Sequence, residues 1–282
     1  MNLGSLILGS PVGRRTLLRL FRGIAPNLID GTIVEVEGVR LKLDLSTVPD
    51  REYAVGVYDR AELDFLTKHC PSEGVFVDIG ANLGLYSVVL ASRRPRVRVL
   101  AFEPDPRSAA KLIENVTLNG LAHVIVCPYA VAEKEATMDL MVNAAANRGG
   151  NSLVFSQAEQ QGFEWKIPVP TKTLWQALTE NGVERVDILK ADVEGYEFPI
   201  FQKFFAEAPR SGWPLAVVLE EFGYAIGRAG GSAVELLVRQ GYRLVDHGSQ
   251  NFFFIRADQN QEVSDDTCAA LQGDTPAAIG VS

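Results

Sequence analysis

The sequence predicts one doubly wound α/β domain with a mostly parallel sheet, an antiparallel pair at its edge and a β-hairpin before it. Three observations lead there. Short apolar runs alternate with amphipathic stretches from Val75 to Gln240, the order of a parallel sheet with crossover helices. One such run, Val75 to Ile79, turns through Gly80 and Gly84 into an amphipathic stretch, which is where open α/β sheets place ligands. The 282 residues are 47% apolar, enough for one large core.

Taken in order, residues 1–30 form an amphipathic segment in which Arg14, Arg15 and Arg19 interrupt the apolar stretch short of membrane-spanning length. Packing on the domain is its expected role, with a membrane-surface helix as the alternative. Residues 31–257 form the main domain. Thr32 to Glu37 and Val39 to Leu43 alternate apolar and polar around Gly38, a two-stranded hairpin. Strands follow at Val75 to Ile79, Val97 to Phe102 and Val124 to Cys127, with helices over Leu85 to Ala91 and Pro106 to Leu118. Between Ala132 and Thr171 the rhythm breaks into strands at Thr137 to Val142 and before Pro168 and Pro170, flanking a Gly-rich stretch, Arg148 to Ser152. This insertion is expected to roof a ligand site, with the Arg148 to Ser152 stretch either a closing loop whose Asn151 or Ser152 touches an acceptor or a plain surface loop. The pattern resumes with a strand at Val186 to Leu189, a helix over Glu197 to Ala206, a strand at Leu215 to Leu219 and a helix over Ser232 to Gln240. Strands at Tyr242 to Val245 and Phe252 to Ile255 lie close enough to pair antiparallel. Gly120, Gly182 and Gly241 follow amphipathic runs where a left-handed helix cap is wanted. Residues 258–282 are polar and expected to form a flexible tail.

The net charge of −8 argues against a nucleic-acid partner. Three widely spaced cysteines, Cys70, Cys127 and Cys268, indicate neither a disulfide framework nor a zinc site. With positive charge falling inside rather than before the apolar run, a cytoplasmic protein is expected.

Asn82 and Leu85 occupy positions where a dinucleotide fingerprint carries glycine, so pyrophosphate has no close backbone approach. Asp78 adds a negative charge that repels pyrophosphate and attracts an ammonium or sulfonium. Glu103, nineteen residues beyond Gly84 at the next strand end, is placed to accept ribose hydroxyls. Asp192 and Glu194 follow a third strand at the same edge. Glu194, Asp192 and His247 are the candidate general bases; helix capping or an ion pair with Lys190 is the rival use of Glu194, donor binding that of Asp192, and a turn that of His247. Asp192, Glu194 and Glu220 are also a candidate set for a hard divalent cation, although carboxylates at such an edge more often serve other roles. Trp165, Trp175 and Trp213 are candidates for stacking on a sugar, with packing as the alternative.

The ordered motifs D-I-G-A-N-L-G-L-Y-S (78–87), A-F-E-P (101–104) and K-A-D-V-E-G-Y-E (190–197) resemble those of the FkbM-type methyltransferases. The resemblance spans roughly Thr32 to Ile255. It implies a Rossmann-like class I methyltransferase fold, S-adenosylmethionine as donor and a hydroxyl of a sugar, glycan or secondary metabolite as acceptor. It also implies that Asp78, Gly80, Asn82 and Gly84 surround the methionine part of the donor, Glu103 its ribose, and Tyr129 and Ala130 its adenine. A nicotinamide-dependent oxidoreductase and a non-catalytic donor-binding module are the alternatives.

Overall fold

In the computed structural model, residues 30–45, 47–142, 153, 165–223 and 226–257 are described. The amphipathic segment, the tail and the Arg148 to Ser152 stretch, with Asn151 and Ser152, lie outside them.

The hairpin β1 (Asp30–Val36) and β2 (Val39–Asp44) turns through Glu37 and Gly38, both at positive φ. Two short helices follow, α1 (Val48–Ala54) and α2 (Arg60–His69). Asp59 caps α2 by accepting the Ala61 and Glu62 amides. Next come β3 (Glu73–Ile79), α3 (Leu85–Arg93), β4 (Arg96–Phe102), α4 (Pro106–Leu118) and β5 (Val124–Cys127). The inserted strands are β6 (Ala130–Val131), β7 (Ala136–Val142) and β8 (Trp165–Lys172), a three-stranded sheet in the order β6-β8-β7. The chain then forms α5 (Leu174–Glu180), β9 (Ile188–Ala191), α6 (Glu197–Glu207) and β10 (Ala216–Glu220). It ends in α7 (Ile226–Ala229), α8 (Ala233–Arg239), β11 (Tyr242–His247) and β12 (Asn251–Arg256).

The main sheet runs β11-β12-β10-β9-β3-β4-β5. Neighbours from β10 to β5 are parallel, and β12 lies antiparallel between β10 and β11. The last two strands therefore form the antiparallel pair at the sheet edge that the sequence predicts, with the chain doubling back to insert β12. Gly120, Gly182 and Gly241 all take positive φ after their helices.

Strand periodicity divides the core into two faces. Phe76, Val99, Ala101, Ile188 and Val218 point to the face covered by the hairpin, α2 and α3. Val77, Leu100, Leu189, Val217 and Phe254 point to the face covered by α5, α6 and α8. Trp213 belongs to this second core, its Nε1 donating to the Ala208 carbonyl, and Trp175 packs edge-on against Phe204. Neither is a sugar platform. The strand predicted over Val186 to Leu189 lies two residues later, because Lys190, which ends the apolar run in sequence, is itself a fully buried strand residue.

Candidate active site

Every second residue of the β3–α3 loop is left-handed: Gly80 (φ 80°), Asn82 (φ 52°) and Gly84 (φ 92°). Glycine meets that demand without cost, and asparagine tolerates it better than most residues. This conformation folds the loop back on its neighbours. The Gly80 and Ala81 amides both donate to the Phe102 carbonyl at 3.0 Å. The Asn82 amide donates to Glu103 Oε2 at 2.8 Å, and the Asp105 amide donates to Oε1 at the same distance. Two backbone donors thus fix the Glu103 carboxyl at the end of β4, where burial pushes it up to about 8.

A cavity of about 210 Å³ opens over the carboxyl ends of β3, β4, β5 and β9. Gly80, Asn82, Glu103, Tyr129, Ala130, Asp192 and Glu194 all line it. Tyr129 meets Phe102, another wall residue, edge-on at 5.7 Å between ring centroids. Leu140 of β7 and Leu153 contribute the apolar wall from the insertion.

Of the residues expected to hold the donor or act as base, three lie outside this cavity. Asp78 is fully buried on the α3 face, where its Oδ2 accepts the Ser87 hydroxyl at 2.6 Å and its Oδ1 has no hydrogen-bond partner. Gly84 serves packing: a Cβ there would lie 2.2 Å from Leu112 Cδ1. His247 is exposed at the end of the edge strand β11, stacked on Phe252, and the strands β12 and β10 lie between it and β9, the nearest strand under the cavity. The sequence also pointed to capping by Glu194, but the carboxylate that accepts the Val193 and Gly195 amides is Glu197.

Four aromatic or charged wall residues escaped the sequence reading of the site: Tyr53 of α1, Tyr86 of α3, Phe102 of β4 and Lys190 of β9. Lys190 pairs with Asp192 at 3.1 Å and lies 5.0 Å from the centroid of the Tyr86 ring. The Tyr86 hydroxyl donates to the Asp59 carbonyl at 3.4 Å, beside Glu62, a buried acid of α2 that desolvation pushes up to about 7. Burial alone would depress Lys190, but Asp192, Glu62, Asp78 and Glu220 outweigh it and hold the ammonium well above its ordinary range. Asp192 is held ionised despite its desolvation, by Lys190 and by a hydrogen bond with Glu220. Glu220 goes the other way, pushed up to about 11 by burial and by the Asp192 charge, so it carries the proton of that pair. Glu194 sits in a left-handed turn (φ 55°), and burial with the neighbouring acids pushes it up to about 8.

Among the described residues no three His, Cys, Asp or Glu side chains are grouped to hold a metal. Asp192 and Glu220 are instead engaged with Lys190 and with each other. Nor is any described helix long and apolar enough to cross a membrane. Of the lining acids only Asp192 is held ionised, paired with Lys190, while burial displaces Glu103 and Glu194 toward their protonated forms, so the wall presents one ion pair beside carboxyls able to hydrogen-bond a ligand.

The sequence model of the methyltransferase FkbM domain matches residues 78–244. Methyltransferase sdnD of Sordaria araneosa is 29% identical over 172 residues, covering 49% of this chain and 66% of that protein, a little under two thirds of its length. The 2-O-methyltransferase NoeI of Sinorhizobium fredii is 27% identical, over 52% of this chain and 66% of its own. The 31-O-demethyl-FK506 methyltransferase FkbM of Streptomyces tacrolimicus is 26% identical over 212 residues, 66% of this chain and 79% of that one. Among solved structures, the METTL16 methyltransferase domain covers 87% of this chain and 81% of its own at 15% identity and a TM-score of 0.44.

Proposed function

The chain belongs to the FkbM methyltransferase family, and on that footing we propose that it is an S-adenosylmethionine-dependent O-methyltransferase acting on a hydroxyl of a sugar, glycan or secondary metabolite. The observation that carries this reading is the convergence of the Gly80–Asn82 backbone and the Glu103 carboxyl on one acid-lined cavity. Two relatives named as O-methyltransferases support the oxygen acceptor. The buried free thiols of Cys70 and Cys127 fit a reducing, cytoplasmic setting.

Glu103 would hold the ribose hydroxyls, Asn82 and Asp192 the amino-acid part, and Tyr129 with Ala130 the adenine. The donor, when bound, supplies an electrophilic methyl group on a sulfonium. Glu194 is the proposed base: a carboxylate oxygen takes the acceptor's hydroxyl proton as its oxygen gains the methyl group and the sulfonium becomes a neutral thioether. A carboxyl raised to about 8 is better matched to an alcohol proton than one in the ordinary range. Tyr53 and Tyr86 shape the adjoining wall.

Calorimetric titration of the purified chain with S-adenosylmethionine, S-adenosylhomocysteine and NAD tests this reading. Binding of the first two without NAD supports it, and the opposite preference overturns it. Glu103→Ala is a cleaner companion than a change at Asp78, because Asp78 does not face the cavity. The expected loss of donor affinity is on the order of tenfold, since the hydrogen bonds between the carboxyl and the ribose are lost.

A further inference from the structure

We infer that Lys190 and Asp192 together form a receptor for an α-amino-acid zwitterion, Lys190 taking the carboxylate and Asp192 the ammonium of the donor's methionine part. This rests on the donor reading above and adds Lys190, for which that reading has no role.

Lys190 is hard to explain as a folding element. It lies in the middle of the sheet, flanked by β3 and β10, with its side chain 2% exposed. Burying an ammonium is costly even when it is paired, and an apolar residue of similar length would pack there at least as well. The charge is therefore retained for something other than stability.

Its placement says what. In the β3–β9 register Lys190 stands beside Asp78, two residues before the Gly80 turn, while Glu103 lies at the end of the next strand over. A donor whose ribose is held at Glu103 and whose adenine lies toward Tyr129 extends its amino-acid part in the opposite direction along the sheet edge, toward β9. The two groups that β9 presents to the cavity there are an ammonium and a carboxylate 3.1 Å apart, the mirror of the charges on an α-amino acid. Lys190 is also the one cation among the cavity's described lining residues. A donor carboxylate brought into an acid-lined pocket without it would be strongly opposed.

The surrounding acids do not cancel this arrangement. Glu62, Asp78 and Glu220 are all displaced toward their neutral forms, whereas Asp192 is held ionised. One positive and one negative group remain facing the ligand, and the Tyr86 ring and Asp192 fix the ammonium in place.

The test combines deletions on protein and ligand. Wild type and Lys190→Met would be titrated with S-adenosylhomocysteine, with its decarboxylated analogue, which keeps the amine, and with 5′-methylthioadenosine, which lacks the amino-acid part. In the wild type, removing the ligand carboxylate is expected to weaken binding on the order of 10- to 100-fold, the worth of a charged hydrogen bond. In Lys190→Met the two amine-bearing ligands should bind alike, with 5′-methylthioadenosine unchanged as the sign of an intact nucleoside site. Equal binding of S-adenosylhomocysteine and its decarboxylated analogue by the wild type overturns the inference even if the variant does not fold. So does a carboxylate preference that survives in Lys190→Met, the result expected if Lys190 faces the acceptor instead. If the wild type binds no adenosyl ligand, the donor reading itself falls and takes the inference with it.

Discussion

The carbonyl oxygen of Asp192 lies 1.8 Å from where a Cβ on Gly80 would be. The two loops that build the cavity floor, one after β3 and one after β9, touch backbone to backbone, and only glycine permits it. Gly80→Ala would add both a clash with an immobile carbonyl and a left-handed alanine. Together these are expected to cost about 2–5 kcal/mol. Chemical denaturation should show a lower midpoint, and donor binding should fall with it as the floor is pushed apart; a variant of unchanged stability would mean the loops are not in contact.

Stability without donor should decline on the alkaline side. Glu62 is raised to about 7, and Glu103 and Glu197 to about 8, each chiefly by burial, from an ordinary value of 4.5. Because the folded values are raised, the folded chain holds more protons than the unfolded chain between 4.5 and those values. Their contribution is therefore full below 4.5 and lost as pH rises through about 8. Thermal unfolding at constant ionic strength should give a lower midpoint at about pH 8.5 than at about pH 5.5.

The base assignment predicts a particular pH profile. With Glu194 as proton acceptor, kcat should rise with pH and level off above about 8, where the carboxyl is ionised. Glu194→Gln should lower kcat on the order of 100-fold or more, leave S-adenosylhomocysteine binding nearly intact and flatten that limb. A profile unchanged in shape would mean that Glu194 is not the base.

His247 offers the converse case. It is exposed at the far edge of the sheet and does not line the cavity, so His247→Ala should leave kcat and donor affinity within about twofold, as exposed substitutions usually do. A large loss of activity with stability unchanged would require the acceptor to reach across the sheet edge.

Much of the fold was legible because its signals are local. The α4 boundaries, Pro106–Leu118, follow from an Asp105 cap, a proline at the first helical position and a wide apolar stripe. The tight turn at Gly80 and the acid Glu103 at the end of the next strand were equally readable, since turn glycines and strand-end acids are written in residue type and spacing. By contrast α1 and α2 were not anticipated. They are short, α2 is rich in charge, and their stability comes from the Tyr53 and Leu63 faces packing on the sheet. The local clues were the Asp59 cap of α2 and Pro49 with Asp50 in the first turn of α1.

By itself, then, the sequence determined the alternation of strands and helices, the sheet edge at which the cavity opens and the acid content of that edge. Which polar residues reach the cavity was decided by tertiary structure alone. Asp78 and Lys190 stand side by side in neighbouring strands, yet Asp78 is sealed against Ser87 while Lys190 reaches the wall beside Tyr86. Sequence position sets the direction of a strand residue, but the helices packed over it decide whether its polar end meets protein or ligand, and those contacts join residues more than a hundred positions apart, as between Tyr86 and Lys190.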